Sequence, residues 1–211
     1  MVEFHIVNLR DFGKGSYRQI DDTPFGGGSG MVLMAEPLFK AIDHAMDLVG
    51  GPDNVRVIYP SPQGKTWNQD IAEETSQQEK LIVICGHYKG IDERVMEKYV
   101  THEYSLGDFV MTGGEIPAMV MLDSTVRLIP GTLNNLDSAL TDSFSQDLLD
   151  HPHYTHPREI NGMEVPQVLL GGYHAKIEAW RQEQKEKRTQ EKKPDLWRKF
   201  EKLKESEINH A

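Results

Sequence analysis

Ser105-Leu106-Gly107-Asp108-Phe109-Val110-Met111-Thr112-Gly113-Gly114-Glu115-Ile116-Pro117 is the stretch on which the reading of this chain turns. It reads as the end of a strand at Leu106, a turn at Gly107-Asp108, a short apolar run over 109–111 and a helix start at Glu115, with the Gly113-Gly114 pair directly before that helix. Glycine has no side chain and tolerates positive φ, so such a segment can offer bare amide and carbonyl groups to a flat polar ligand such as a nucleobase. A tight turn between two buried elements would use the same residues.

Two further loops tip that balance. Tyr59-Pro60-Ser61-Pro62-Gln63-Gly64 follows a strand-like run over 55–59, and Gly86-His87-Tyr88-Lys89-Gly90-Ile91-Asp92-Glu93-Arg94 follows the apolar run 81–85. Three loops that each leave the end of a buried strand converge on one edge of an open α/β sheet, where ligands of such folds bind. The flanking pattern agrees. After Pro37, apolar residues recur at three- and four-residue steps (Leu38, Phe39, Ile42, Ala45, Met46, Val49) until Gly50-Gly51-Pro52 stops the helix. A strand over 55–59, a helix within 68–78, a strand over 81–85, a helix from Asp92, a strand over 102–106 and a helix over 115–128 then alternate, which predicts an α/β domain with a largely parallel sheet. Residues 2–9 alternate apolar and polar and read as a further strand. The loop over 11–30 has too little apolar content for a core element, and its Gly26-Gly27-Gly28-Ser29-Gly30 is a poor phosphate loop because no Gly-Lys-Ser/Thr follows.

After Pro130 the pattern breaks. Residues 131–147 are polar and aperiodic and read as a linker, expected to be mobile in the free protein and to close over a bound ligand. Short pieces follow, with a turn at Asn161-Gly162, and helices over 175–192 and 196–204 make a small helical second domain.

Bulk properties narrow the class. With 211 residues the chain can bury a real core, and 38% hydrophobic content without a membrane-length apolar run predicts a soluble protein with no membrane partner. The start lacks the basic and apolar regions of a signal peptide, and a lone Cys85 closing an apolar strand reads as packing in a reducing cytoplasm. The net charge of −10 hides an asymmetry: residues 176–205 hold eleven Lys or Arg against seven Asp or Glu, while the remainder holds twelve against twenty-six. A basic tail on an acidic body suits a phosphate backbone that meets one part of the protein, although a solvated helix of mixed charge accounts for most of these side chains equally well. In that tail Trp180 and Trp197 stand among Arg181, Arg188, Lys192, Lys193, Arg198 and Lys199, an interleaving that suits RNA, with Trp180 better read as a core anchor.

The order, spacing and content of these loops resemble one family closely: the bacterial tRNA (guanine-N1) methyltransferases, SPOUT-class enzymes with a trefoil-knotted S-adenosylmethionine site. The resemblance extends over Asp21-Asp22, Phe25 through Met31, the three loops above, Arg127-Leu128-Ile129-Pro130-Gly131, Asp142-Ser143-Phe144, Tyr154-Thr155-His156-Pro157-Arg158, Trp180-Arg181 and Arg188-Thr189. It implies an α/β fold: a knotted S-adenosylmethionine-binding domain with a mostly parallel sheet over 1–130, a linker over 131–147 and a small helical tRNA-binding domain over 148–211. It implies a cytoplasmic homodimer that methylates N-1 of guanosine at position 37 of tRNA; the rival readings are a knotted methyltransferase acting on a different RNA or base and a non-catalytic RNA or tRNA binder.

Methylating N-1 of guanine asks for a base to take its proton and a cation near O-6. By resemblance these are Asp142 and Arg127; on residues alone Asp142 reads as a helix cap and Arg127 as a partner of a helix dipole. The donor site implied by the same resemblance comprises Tyr59, Ser61, Pro62, Gly86, Tyr88, Gly90, Ser105, Leu106, Gly107, Asp108, Phe109, Val110, Met111, Gly113, Gly114 and Pro117, with the glycine loop near it. Magnesium is implied only by the family's cofactor habit. His151, His153 and His156 raise the question of zinc, but no Cys lies near and no His pair at i, i+4 stands on a helix, so no metal is assigned to them.

Two departures stand out. Lys89 occupies the place where many relatives carry Glu, which puts a metal role there in doubt. Relatives also begin with a further strand and a Leu-Phe-Pro motif, so the natural protein is expected to carry about thirty more residues before Met1, and the chain without them to fold poorly.

Overall fold

In sequence order the elements are a 3-10 turn at Leu9–Phe12, β1 (Asp21–Asp22), β2 (Val32–Leu33), α1 (Ala35–Leu48), β3 (Val55–Thr66), α2 (Gln69–Ser76), β4 (Lys80–Val83), α3 (Glu93–Tyr99), β5 (His102–Ser105), α4 (Glu115–Val126), β6 (Glu159–Ile160), β7 (Met163–Glu164), a second 3-10 turn at Gln167–Leu170, α5 (His174–Lys192) and α6 (Pro194–His210). The structure is a computed structural model and describes residues 2–132, 142–144 and 147–210, the last four by backbone alone. Chain contacts divide it into two units, Met1–Asn134 and Asn135–Ala211.

In the first unit β3 is the middle of a three-stranded sheet of order β4-β3-β5, parallel throughout. Val55-Arg56-Val57-Ile58-Tyr59 opens β3 with β-branched and aromatic residues at four of five positions, which suit a pleated surface. Successive side chains alternate between faces, and both faces are covered. Val57 and Tyr59 pack with Leu38 and Ile42 of α1 and Val95 and Tyr99 of α3. Ile58 packs on the other side with Ile71 of α2, Tyr104 of β5 and Met121 of α4. A strand buried on both faces carries apolar residues on each, which is why Val57-Ile58-Tyr59 shows no alternation in sequence. Each fully buried side chain of this kind contributes about 1.5–3 kcal/mol.

Capping explains where the helices begin. Asn68 Oδ1 accepts from the Ile71 amide at 3.0 Å ahead of α2, and Asp92 Oδ1 accepts from the Arg94 amide at 3.0 Å ahead of α3, each satisfying a donor the helix leaves open. Side-chain ties fix the packing: the Tyr99 hydroxyl donates to Asp43 at 2.7 Å, and Trp67 Nε1 donates to Ser124 Oγ at 2.9 Å. Buried Arg56 donates to Thr75 at 3.1 Å and to Glu74 at 2.6 Å.

Three expectations change. Residues 2–8 form no strand; they have no ladder partner among the described residues, and Ile6 is 97% and Phe4 62% exposed. Alternation is a local property, whereas a strand exists only where a neighbour takes up its amides and carbonyls. The loop over 11–30 contains an element after all, since β1 within it pairs antiparallel with β2. And β3 continues to Thr66 instead of ending at Tyr59, because it pairs with β5 again after a slip in register between Pro60 and Lys65.

In the second unit β6 and β7 form a hairpin turned by Asn161 (φ 52°) and Gly162 (φ 78°), a left-handed pair that matches the twist of two short strands. α5 and α6 pack on one another. The hydroxyl of fully buried Thr189 accepts from the Leu149 amide at 2.8 Å and donates to the Lys185 carbonyl at 2.7 Å, pinning the segment before His151 to α5. No helix among the described residues is long and apolar enough to cross a membrane. The expectation of a mobile linker closing as a lid lies mostly on residues 133–141 and 145–146, outside the described ones.

Candidate active site

The three loops singled out in the sequence meet. Where β3, β4 and β5 end they border an open cleft, at the sheet edge where ligands of such folds bind. Of the sixteen residues expected at a donor site, fifteen line it: Tyr59, Ser61 and Pro62 from β3; Gly86, Tyr88 and Gly90 from the β4–α3 loop; and Ser105, Leu106, Gly107, Phe109, Val110, Met111, Gly113, Gly114 and Pro117 from the β5–α4 segment. Asp108 is exposed and does not line it. Pro60, His87, Lys89, Tyr104 and Thr112 line the cleft without having been anticipated. Four of these sit inside the quoted loops, where inward and outward residues follow no period.

Backbone contact shapes this cleft. Gly114 donates its amide to the Gly86 carbonyl at 2.8 Å, and His87 and Gly113 form an antiparallel bridge. A Cβ on Gly114 would lie 2.7 Å from the Gly86 nitrogen and 2.8 Å from Cys85 Cα, so only glycine lets these two chains pass so closely. The excursion at the register slip has the same cause: a Cβ on Gly64 would sit 2.4 Å from the Glu103 carbonyl carbon. Ser105 closes the third wall, its hydroxyl donating to the Gly107 carbonyl at 3.0 Å and accepting from the Gly107 amide at 3.1 Å.

The electrostatics are sparse. Lys89 is the only Lys, Arg, Asp or Glu among the described residues that line the cleft. Its amide donates to the Met31 carbonyl at 3.0 Å and its stem lies across Gly30, within 3.0 Å of where a Cβ would be, which joins the end of the glycine-rich loop to the cleft. Beside the cleft His87 Nε2 and Glu115 Oε1 are 2.6 Å apart, and that hydrogen bond holds the Glu115 carboxyl below its ordinary range. Burial, helped by the charge of Glu115, pushes the Cys85 thiol up to about 11, so it is protonated at neutral pH and no nucleophile. Burial, and then Glu103, raise the Tyr59 phenol, which stays neutral against Gly86.

The two residues assigned chemistry by resemblance lie in different units. Arg127 is the C-cap of α4, its amide donating to the Asp123 carbonyl at 3.2 Å. Asp142 opens a turn of the second unit in which Ser143 Oγ accepts from the Asp150 amide at 3.0 Å and the Phe144 amide donates to the Leu148 carbonyl at 2.7 Å. No helix starts at Asp142, contrary to its reading as a cap.

On α5 and α6 the cations divide into two groups. Arg181 pairs with Glu178 at 2.6 Å, Arg198 pairs with Asp195, Lys199 with Asp147 at 2.6 Å and Lys204 with Glu186 at 3.9 Å. Arg188, Lys192 and Lys193 pair with no carboxylate among the described residues.

Comparison with known proteins agrees with this geometry. The family profile described as "tRNA (Guanine-1)-methyltransferase TrmD" matches residues 1–199. A "tRNA (guanine-N(1)-)-methyltransferase" of Brevibacillus brevis is 52% identical over 200 residues, covering 95% of this chain and 81% of the relative. Proteins of the same description from Clostridioides difficile, 47% identical over 94% of this chain and 86% of the relative, and Staphylococcus carnosus, 52% identical over 95% and 80%, are similar over the same span.

Proposed function

The chain belongs to the tRNA (guanine-1)-methyltransferase family, and on that premise we propose that it transfers the methyl group of S-adenosylmethionine to N-1 of guanosine at position 37 of tRNA. The observation that carries the reading is a family match over residues 1–199 in a chain whose cleft is built from glycine backbone at the ends of three parallel strands. The donor brings an activated methyl group on its sulfonium, so the protein needs no covalent intermediate and has to bind, orient and exclude water. A protonated Cys85 accords with that.

In this reading the main chain at Gly86, Leu106, Phe109 and Met111 holds the adenosine, with Tyr59, Ser61 and Pro62 beside it. Asp142 takes the N-1 proton and Arg127 stabilises the charge that develops toward O-6. A trefoil knot at the cleft is part of the same proposal and rests on the family match. A cytoplasmic homodimer is part of the proposal. It is supported by Ile116, Met119 and Val120, an apolar stripe at i, i+3, i+4 on α4 that is 60%, 68% and 44% exposed and calls for cover. The second unit would meet tRNA phosphates through cations such as Arg188, Lys192 and Lys193. Magnesium finds no carboxylate among the described residues lining the cleft.

Mass spectrometry of nucleosides from tRNA incubated with protein and donor tests the reading. 1-Methylguanosine is expected, and it should be absent when position 37 carries another base. Donor and tRNA binding without any methylated nucleoside would leave an RNA binder, and methylation elsewhere an enzyme of different target.

A further inference from the structure

The segment Asp150-His151-Pro152-His153 of the second unit gathers three metal-ligating side chains whose ligand atoms all lie within 4.8 Å of one another. We propose that Asp150, His151 and His153 form a binding site for a divalent transition ion of the zinc type. The reading from sequence alone weighed the three histidines and set them aside; in the structure the third member of the group is Asp150, and His156 is not in it.

The spacing fits such an ion. Zinc bonds imidazole nitrogen at about 2.0–2.1 Å and carboxylate oxygen at about 2.0–2.2 Å, so two ligand atoms of a tetrahedral site stand about 3.3–3.5 Å apart. His153 Nε2 is 2.7 Å from Asp150 Oδ2 and His151 Nε2 is 3.8 Å from Asp150 Oδ1, so the two imidazoles approach different oxygens of one carboxylate and have to close on a shared ion when it binds. The two imidazole rings are centred 4.4 Å apart.

The ligands are also oriented from behind. His151 Nδ1 lies 3.1 Å from the Pro152 carbonyl oxygen, a pure acceptor, so the ring proton belongs on Nδ1 and the lone pair on Nε2 faces Asp150. Asp150 Oδ1 accepts from the His151 amide at 2.7 Å, and the Asp150 amide donates to Ser143 Oγ at 3.0 Å. Leu149 is tied to buried Thr189, and the His151 side chain, 13% exposed, lies 6.5 Å from the Trp180 ring. His153 is 68% exposed, which leaves the outer side open to an arriving ion and its remaining water.

Two imidazoles and one carboxylate suit zinc, cobalt, nickel or copper, whereas magnesium and calcium prefer all-oxygen shells. Binding would replace the hydrogen bond between His153 and Asp150 by two bonds to metal and, through the Asp150–Ser143 contact, stiffen the turn that carries Asp142.

The test is titration of the full, tag-free chain with Co²⁺, read by its visible d–d absorption and by displacement with Zn²⁺. One saturable equivalent is expected, weakened at least about tenfold in His153→Ala, whose exposed side chain can be removed without disturbing packing, and likewise in Asp150→Asn. His156→Ala should bind as the wild type does. Absence of a saturable band, an unchanged affinity in His153→Ala and Asp150→Asn, or an equal loss in His156→Ala would each overturn the site.

Discussion

The cleft of the first unit and the helices of the second are built on opposite principles. The cleft presents glycine backbone, hydroxyls and apolar rings, with one fixed charge among the described residues that line it. α5 and α6 present long charged side chains, several of them already paired with neighbouring carboxylates. A backbone site is stiff because moving it moves the sheet, so its geometry is prepaid in folding. A surface of lysines and arginines is adaptable and screened by salt. Small changes of volume should therefore be felt at the cleft, and changes of charge at the helices.

The largest effect is expected at Asp142, the base of the proposed reaction. Asp142→Ala should lower turnover by about 10²–10⁴-fold while donor affinity, measured by calorimetry, stays near that of the wild type; near-normal turnover would remove Asp142 from the role of base. Next comes Gly114→Ala. The Cβ would meet only backbone, at 2.7 and 2.8 Å, so relief requires moving a strand end. A loss of about 1–3 kcal/mol in denaturant unfolding, with donor binding impaired as well, is expected. The matching control in the second unit is Gly171→Ala, where φ is −89° and the nearest atom, on the flexible Tyr173 ring, is 3.6 Å away. A change within about 0.5 kcal/mol is expected there, and equal losses at the two positions would erase the contrast between the regions.

Charge reversal at Arg188 and Lys192 sharpens the other side of the comparison. If both meet phosphates, tRNA affinity should fall and its logarithmic salt dependence flatten by about two units of slope, with donor affinity unchanged. An unaltered slope would move the RNA footprint off this part of α5.

The smallest effect belongs to the His87–Glu115 pair. Because the Glu115 carboxyl is held below its ordinary value of 4.5 in the folded protein, the pair contributes stability above that pH and loses it as pH falls through the lowered value. Glu115 is 56% exposed, so solvent screening limits the gain to less than about 1 kcal/mol. Thermal midpoints of wild type and Glu115→Gln should therefore differ slightly at neutral pH and converge in acid; a gap that widens below pH 4.5 would contradict the pairing.

Most of the first unit was legible because its signals are local. The apolar run that opens β3, the three- and four-residue apolar steps of α1 and the glycine stop after it act over a few residues, and elements formed where they pointed. The glycines of the three loops announced bare backbone, and a Cβ built on Gly64, Gly86 or Gly114 would lie within 3 Å of atoms of another segment. Asp142 and Arg127 are candidates only through family resemblance, since nothing in a lone Asp-Ser or a helix-end arginine distinguishes chemistry from capping.

What the sequence by itself determined, then, is the alternation of elements in the first unit, the loops that border the cleft and, by resemblance, the family. Tertiary structure alone decided that residues 2–8 do not form a strand, that β3 slips register and pairs again with β5, that Pro60, His87, Lys89, Tyr104 and Thr112 join the cleft, and that Asp150 stands with His151 and His153. The division follows from the range of the forces. Propensity, capping and glycine's freedom act between near neighbours in the chain, whereas a ladder hydrogen bond, a desolvated thiol or a ligand cluster depends on the groups that folding brings alongside.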